Sequence, residues 1–332
     1  MRGRMLILGS CVLLAALLWG AFHYVNQAAS PKTPVIWYVP KSLDAGVEFW
    51  VVAEQGVTAA SKEYGVHAVV KGTATEEDID GQIAILQQAL KEKPDAVILA
   101  ASDRQRLLPA AKALTEAGIR LVTVDSGLEG GGSASFIGTD NYAAGQQAGM
   151  MMADALGGEG LVGIINTVRG SETAWERERG VRDVLRQHPR IAVMAASYTG
   201  SLQARAYDAA RELLRSEPEL AGIVALNEPT AVGAARAIAE LGDTRPRVKL
   251  IGFDSSRSEV MDLEQGLLDA TVVQKPFNMG YLAVKTAMDL LHGRKVEPVV
   301  DTGSVVITKR NMYARENQKL LFPFVEEPAE GR

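Results

Sequence analysis

From Thr33 onward, short apolar runs rich in β-branched residues alternate with longer stretches in which apolar residues recur every three to four positions. The first run is VIWYV, Val35–Val39; Trp50, Ala53, Val57, Ala60 and Tyr64 then fall at helical spacing, and Gly65 stands where a helix C-cap would. The same pattern predicts strands over residues 67–70, 95–100, 120–125, 161–166, 191–197, 222–227, 249–254 and 269–274, with a short one in SFIG at 135–138. Helical stretches separate them, such as IDGQIAILQQALKE, where Ile79, Ile83, Leu86 and Leu90 form one stripe. Strands alternating with helices imply parallel sheets covered on both faces. The predicted fold is therefore α/β, and the glycine cluster of GLEGGGSASFIGTDN, residues 127–141, suggests a break between two doubly wound parallel-sheet lobes.

One run does not fit this alternation. Arg2 and Arg4 precede an uncharged apolar segment, residues 5–22. A cleaved signal peptide would have this charge order, and Ala28-Ala29-Ser30 could serve as its cleavage site, although Pro31 would follow the cut. A retained membrane anchor needs about 20 apolar residues, which residues 5–25 nearly supply, with the large domain placed outside by the arginines. The length favours the anchor, and both readings place the domain beyond the cytoplasm, in the cell envelope. Residues 1–33 are thus expected to be signal or anchor plus linker, and residues 326–332 a polar tail.

Composition narrows the chemistry. With 332 residues, 47% hydrophobic and 23% charged, the chain is long enough for two globular domains. A net charge of -5 gives no basic footprint for nucleic acid. The single cysteine, Cys11, lies in the apolar segment, and His23, His67, His188 and His292 are scattered without ligand spacing. No metal and no cofactor are expected. Gly158, Gly160 and Gly163 satisfy a GxGxxG pattern, but they follow a helical stretch and open a strand, the reverse of a dinucleotide fingerprint. No P-loop, GxSxG or HExxH occurs.

Chemistry-bearing residues instead gather at strand ends. Asp125 closes VTVD, Asn227 closes VALN, Asp254 closes IGFD and Gln274 closes TVVQ. In open α/β sheets, ligands bind outside the carboxyl ends of the strands, which would bring these groups to one rim in each lobe. Each could alternatively cap the helix that follows, and for Asp254 that alternative is as good as the first. The set supplies acceptors and amide donors but no activated nucleophile, so no catalytic residue is assigned. It suits a ligand rich in hydroxyls, with Phe49 and Trp50 placed to cover the apolar face of a ring; Trp50 also fits the core stripe of its helix. Arg177 and Arg179 alternate with Glu176 and Glu178 near a helix start, either as a salt-bridged first turn or with a guanidinium offered to ligand oxygens.

The chain resembles the ribose-binding branch of the type I periplasmic binding proteins, whose fold is shared with the effector domains of lac repressor family regulators. The resemblance covers about residues 34–309 and is carried by RERG at 177–180, ALNEPTAVGAARAI at 225–238, IGFD at 251–254 and ATVVQKPFNMG at 270–280, with TVDSG and IGTDNYAAG. It implies sugar contacts for Asp125, Arg177, Asn227, Asp254 and Gln274, and an aromatic sandwich by Phe49 and Trp50. It also implies a three-strand hinge near Thr139, Gln274 and Gly303, so that residues 34–139 with 275–302 form the amino-terminal lobe and 140–274 with 303–325 the carboxyl-terminal lobe. Ribose binders carry Arg where this chain has Ser126, a candidate contact in its own right, and Asn near the position where Val47-Glu48 precede Phe49. The loop of residues 40–48 is one residue longer. These departures move the expectation from ribose toward another hydroxyl pattern or an amine-bearing molecule facing Glu48.

The resemblance thus implies a monomeric, non-enzymatic solute-binding domain that closes on a sugar or similar polyhydroxylated ligand. Its partner would be an ABC permease, or alternatively a membrane sensor kinase or chemoreceptor that reads occupancy. A transcription regulator would need a DNA-binding head where the apolar segment stands, and an enzyme would need catalytic groups that the motifs lack.

Overall fold

The computed structural model describes residue 19 and residues 33–242 and 247–322. The expected signal or anchor, apart from Trp19 and Thr33, and the expected tail lie outside the described residues. Among the described residues, no helix is long and apolar enough to cross a membrane.

The chain builds two sheets. The first contains β1 (Val35–Val39), β2 (His67–Val70), β3 (Ala96–Leu99), β4 (Arg120–Val124), β5 (Ser135–Gly138) and β12 (Val299–Asp301), in the order β12-β5-β4-β3-β1-β2. All of its pairings are parallel. The second contains β6 (Glu159–Asn166), β7 (Arg190–Val193), β9 (Leu220–Ala225), β10 (Lys249–Phe253), β11 (Ala270–Val273) and β13 (Val305–Thr308), in the order β13-β11-β10-β9-β6-β7, with β8 (Ser197–Tyr198) also pairing β6. The path passes from the first sheet to the second between β5 and β6, returns between β11 and β12, and passes over again between β12 and β13.

Helices cover both faces of each sheet. On the first, α1 (Glu48–Tyr64) and the late helix α9 (Pro276–Leu291) bury Ala53, Val57, Met279 and Ala283, while α2 (Ile79–Glu92) and α3 (Leu108–Glu116) bury Leu86, Ala89 and Leu114 on the other face. On the second, α4 (Asn141–Leu156) and α5 (Glu172–Leu185) cover one face; α6 (Gln203–Ser216), α7 (Glu228–Leu241) and α8 (Arg257–Gln265) cover the other, with Leu321 of α10 (Arg315–Leu321). Fully buried strand side chains such as Ile98, Leu121 and Phe253 each contribute roughly 1.5–3 kcal/mol by leaving water.

Glycine governs how closely two helix pairs approach. A Cβ on Gly56 of α1 would sit 2.0 Å from the Phe277 carbonyl oxygen, and one on Gly280 of α9 would sit 2.0 Å from that of Ala53. In the other lobe Gly145 of α4 lies under the Arg177 carbonyl and Gly180 of α5 under that of Tyr142, each leaving 2.3 Å for a Cβ. Two of these glycines belong to RERG and QKPFNMG, so those motifs are in part a packing requirement. The contacts set α1 and α5, the helices that carry Phe49 and Trp50 and Arg177 respectively.

Two expectations change, and two strands are new. The second sheet is not wholly parallel, because β13 runs antiparallel to β11. The strand expected over residues 191–197 is two pieces, β7 and β8, both bonded to β6. β12 and β13 had no counterpart in the hydrophobic pattern.

Candidate ligand-binding cleft

Parallel strands bring their carboxyl ends to one edge of each sheet, and the two edges face one another. A cavity between them is lined by seven of the expected residues, Phe49, Trp50, Asp125, Arg177, Asn227, Asp254 and Gln274. Lys41, Glu76, Thr167, Thr173 and Glu228 join them. The enclosed space is narrow, about 30 Å³.

The two aspartates share a backbone conformation. Asp125 directly follows β4 with φ 61°, and Asp254 directly follows β10 with φ 78°. This left-handed region is strained for most side chains and most accessible, after glycine, to Asn and Asp. Asp125 pairs with the buried Lys41, Nζ to Oδ2 2.8 Å, and Lys41 also donates to Thr173 Oγ1 in the opposite lobe at 3.1 Å. Among the described residues Asp254 has no lysine or arginine in direct ion pairing: its Oδ1 accepts from Gln274 Nε2 at 2.7 Å and its Oδ2 from the Glu228 amide at 3.1 Å. Burial pushes its carboxyl above the usual range, opposed by the field of Arg177 and the Gln274 bond.

Helix termini explain the neighbouring polar groups. Ser256, rather than Asp254, caps α8 in a capping box with Glu259. Asp254 instead satisfies the first amide of α7 from the adjacent strand. Asn227 does cap the helix it precedes: its Oδ1 accepts from Thr230 N at 3.1 Å, leaving Nδ2 to donate to Ser201 Oγ at 3.0 Å. Arg177 is 3% exposed, with Nε on Asn141 Oδ1 (2.9 Å), Nη1 on the Leu226 carbonyl (2.7 Å) and its guanidinium 4.5 Å above the Phe253 ring. The neighbouring Arg179 instead pairs with Glu176 and is half exposed, as in the salt-bridged alternative.

Several contacts between the lobes involve α1. Its N-cap, Val47, offers no side-chain acceptor, and the Glu228 carboxylate supplies both, taking the Glu48 and Phe49 amides at 3.0 Å each. Helix N-terminal amides normally lower a carboxylate pKa. Here burial outweighs them, and Glu228 is pushed up to about 8. Glu259, fully enclosed nearby, is also raised by burial, with Glu228 and Asp254 adding negative field. Trp50 donates Nε1 to Glu76 Oε1 at 3.0 Å, and Glu76 Oε2 accepts from Ser201 Oγ of the opposite lobe at 2.7 Å. Phe49 and Trp50 meet edge to face, ring centres 4.9 Å apart. Trp50 is therefore both a core residue and part of the cavity wall.

Two expected contacts fall elsewhere. Ser126 is fully buried, does not line the cavity, and its Oγ has no hydrogen-bond partner. Its amide turns back onto the Val124 carbonyl at 2.6 Å, which holds it behind Asp125. Glu48 lines an adjoining cavity instead, its carboxylate near the Arg257 amide at 3.3 and 3.4 Å. Of the hinge candidates, Gly303 has φ 71° and donates to Asp301 Oδ1 at 2.8 Å, while Thr139 and Thr302, both buried, have hydroxyls without partners. Among the described residues, no cluster of three or more His, Cys, Asp or Glu side chains is placed to hold a metal ion.

The residues that went unanticipated carried only weak signals. Lys41 lies two positions beyond β1, at the same strand-end edge as the others. Glu228 follows Asn227 and looks like an ordinary first-turn carboxylate.

Comparison with known proteins agrees with this architecture. Residues 36–295 match the family model of the periplasmic binding protein domain, and the chain belongs to that type I family. It is 28% identical over 294 residues to the D-ribose/D-allose-binding protein of Pseudomonas aeruginosa, covering 85% of this chain and 91% of that one. The D-allose-binding periplasmic protein of Escherichia coli is 27% identical over 260 residues, 76% and 83% of the two chains. Among solved structures, an ABC transporter solute-binding protein from Agrobacterium vitis with bound D-fucose superposes with a TM-score of 0.83 at 33% identity, covering 86% of this chain and 99% of that one.

Proposed function

We propose that this protein is an extracytoplasmic solute-binding protein that closes its two lobes on a sugar and delivers it to an ABC permease. The observation that carries this reading is the convergence, between the lobes, of Asp125, Arg177, Asn227, Asp254 and Gln274 with Lys41 and Glu76. Carboxylates, amides and cations alternate around one space, as hydroxyls that both donate and accept require. Binding rather than turnover is the activity assigned, in line with the sugar-binding proteins this chain is similar to.

A ring does not fit in about 30 Å³; small-molecule pockets run to roughly 300–1,000 Å³. Admitting and holding a ring therefore require the lobes to stand further apart than they do here, with bending at the three connections near Thr139, Gln274 and Gly303. Glu228 on α1 and Glu76 on Ser201 are contacts that such opening breaks. Arg177, held on its own lobe by Leu226 and Asn141, would remain in place. Residues 1–33 would direct the domain across the membrane, as anchor or cleaved signal, and the mass of the mature chain distinguishes the two.

Isothermal calorimetry of the full chain against D-ribose, D-allose, D-fucose, D-arabinose and D-tagatose tests the reading. Saturable binding of at least one is expected. Turnover of any of them, or silence across these and a wider panel of monosaccharides and polyols, would overturn it.

A further inference from the structure

Beside the central cavity lies a second one, of about 280 Å³, that shares Phe49, Glu228, Asp254 and Gln274 with it. Its apolar lining comes from Val52 of α1, Pro276 and Phe277 of α9, and Leu320 and Leu321 at the end of α10. Its charged lining is mixed: Glu48, Glu228 and Asp254 with Lys275 and Lys319. Gln274 is 3% exposed and its amide nitrogen is committed to Asp254, yet its Oε1 has no hydrogen-bond partner among the described residues. A buried acceptor left in this way calls for a donor from the adjoining space.

We infer that the two cavities are one site and that the ligand is a sugar carrying a substituent, an alkyl or aryl glycoside. The inference rests on the sugar-binding reading and specifies its substrate class. The ring sits at the strand ends, where acceptors and cations alternate. The substituent passes between Phe49 and Gln274, its carbon packing on Val52, Phe277 and Leu320. A hydroxyl beside the glycosidic link donates to Gln274 Oε1. A free monosaccharide leaves this larger, mostly apolar space to water, whereas a glycoside removes both surfaces from it.

Calorimetry of the full chain with D-ribose, D-allose and D-fucose, each beside its methyl and phenyl glycosides in both anomers, tests this. One phenyl glycoside should bind at least ~10-fold more tightly than its parent sugar. Val52→Trp and Leu320→Trp, each filling the lateral cavity from a different helix, should abolish that gain while keeping the parent's affinity. If either variant fails to fold, the other still decides. A parent sugar that binds as tightly as all of its glycosides, or a gain that survives tryptophan at these positions, overturns the inference and leaves sugar binding intact. If neither parents nor glycosides bind, the sugar-binding reading itself falls.

Discussion

Asp125 and Asp254 stand in matching places in the two lobes, each directly after a strand and each in left-handed backbone, but they are held differently. Asp125 faces a full positive charge, the Lys41 ammonium at 2.8 Å. Asp254 faces neutral dipoles, the Gln274 amide and the backbone N–H of Glu228, with Arg177 contributing only its field. Asp125 is thus neutralised by a lysine of its own lobe, whereas Asp254 is an enclosed carboxylate held by dipoles, without an ion-pair partner among the described residues. Position at a strand end brings a group to the cleft, and the partner it finds there decides whether it holds the lobe together or waits for a ligand.

Removing each partner exposes the difference. Asp125→Ala strands a buried ammonium, and breaking a buried pair in this way costs about 3–5 kcal/mol. Urea unfolding should show that loss, and adding Lys41→Met should restore most of it. A double variant as unstable as Asp125→Ala alone would mean that the pair is not the reason.

A smaller effect concerns Glu228, which joins the lobes. Its value of about 8 in the folded chain against an ordinary 4.5 means that folding takes up a proton between those limits. The stability linked to it is fully present below about pH 4.5 and is lost as pH rises to about 8. Asp254 and Glu259, also raised by burial, act in the same direction. Denaturant midpoints should therefore fall across this window, and Glu228→Gln should flatten the slope. An unchanged slope would assign the proton uptake to other carboxyls raised by burial, such as Asp254, Glu259 and Glu172.

The smallest effect belongs to Ser126. Among the described residues its hydroxyl is buried without a partner, and it does not line the central cavity, so Ser126→Ala should alter stability by no more than ~0.5 kcal/mol and leave ligand affinity unchanged. A clear loss of affinity would return it to the binding site.

Much of this was legible in the chain itself, for identifiable reasons. β1 and β2 match their predicted limits because β-branched residues fill them and turn residues bound them. β12 was not visible because three residues after a proline carry no period, and β13 because a four-residue antiparallel strand at a sheet margin breaks the strand–helix alternation. Asp125, Asn227, Asp254 and Gln274 could be read from the strand-end rule. Lys41 and Glu228 could not, since their roles depend on groups far away in the chain: Asp125 for one, and the uncapped start of α1 for the other. The same distance hid the role of Glu76, which meets Trp50 on one side and Ser201 on the other.

The most direct measurement is a calorimetric titration of wild type and Asp254→Ala, both as full chains, with the monosaccharides and glycosides named above. If Asp254 grips ligand hydroxyls, the best ligand binds Asp254→Ala at least ~10-fold more weakly, because donors buried in the closed cleft lose their acceptor. Equal affinity for the two proteins would contradict this and leave Asp254 as no more than the acceptor for Gln274 and the first amide of α7.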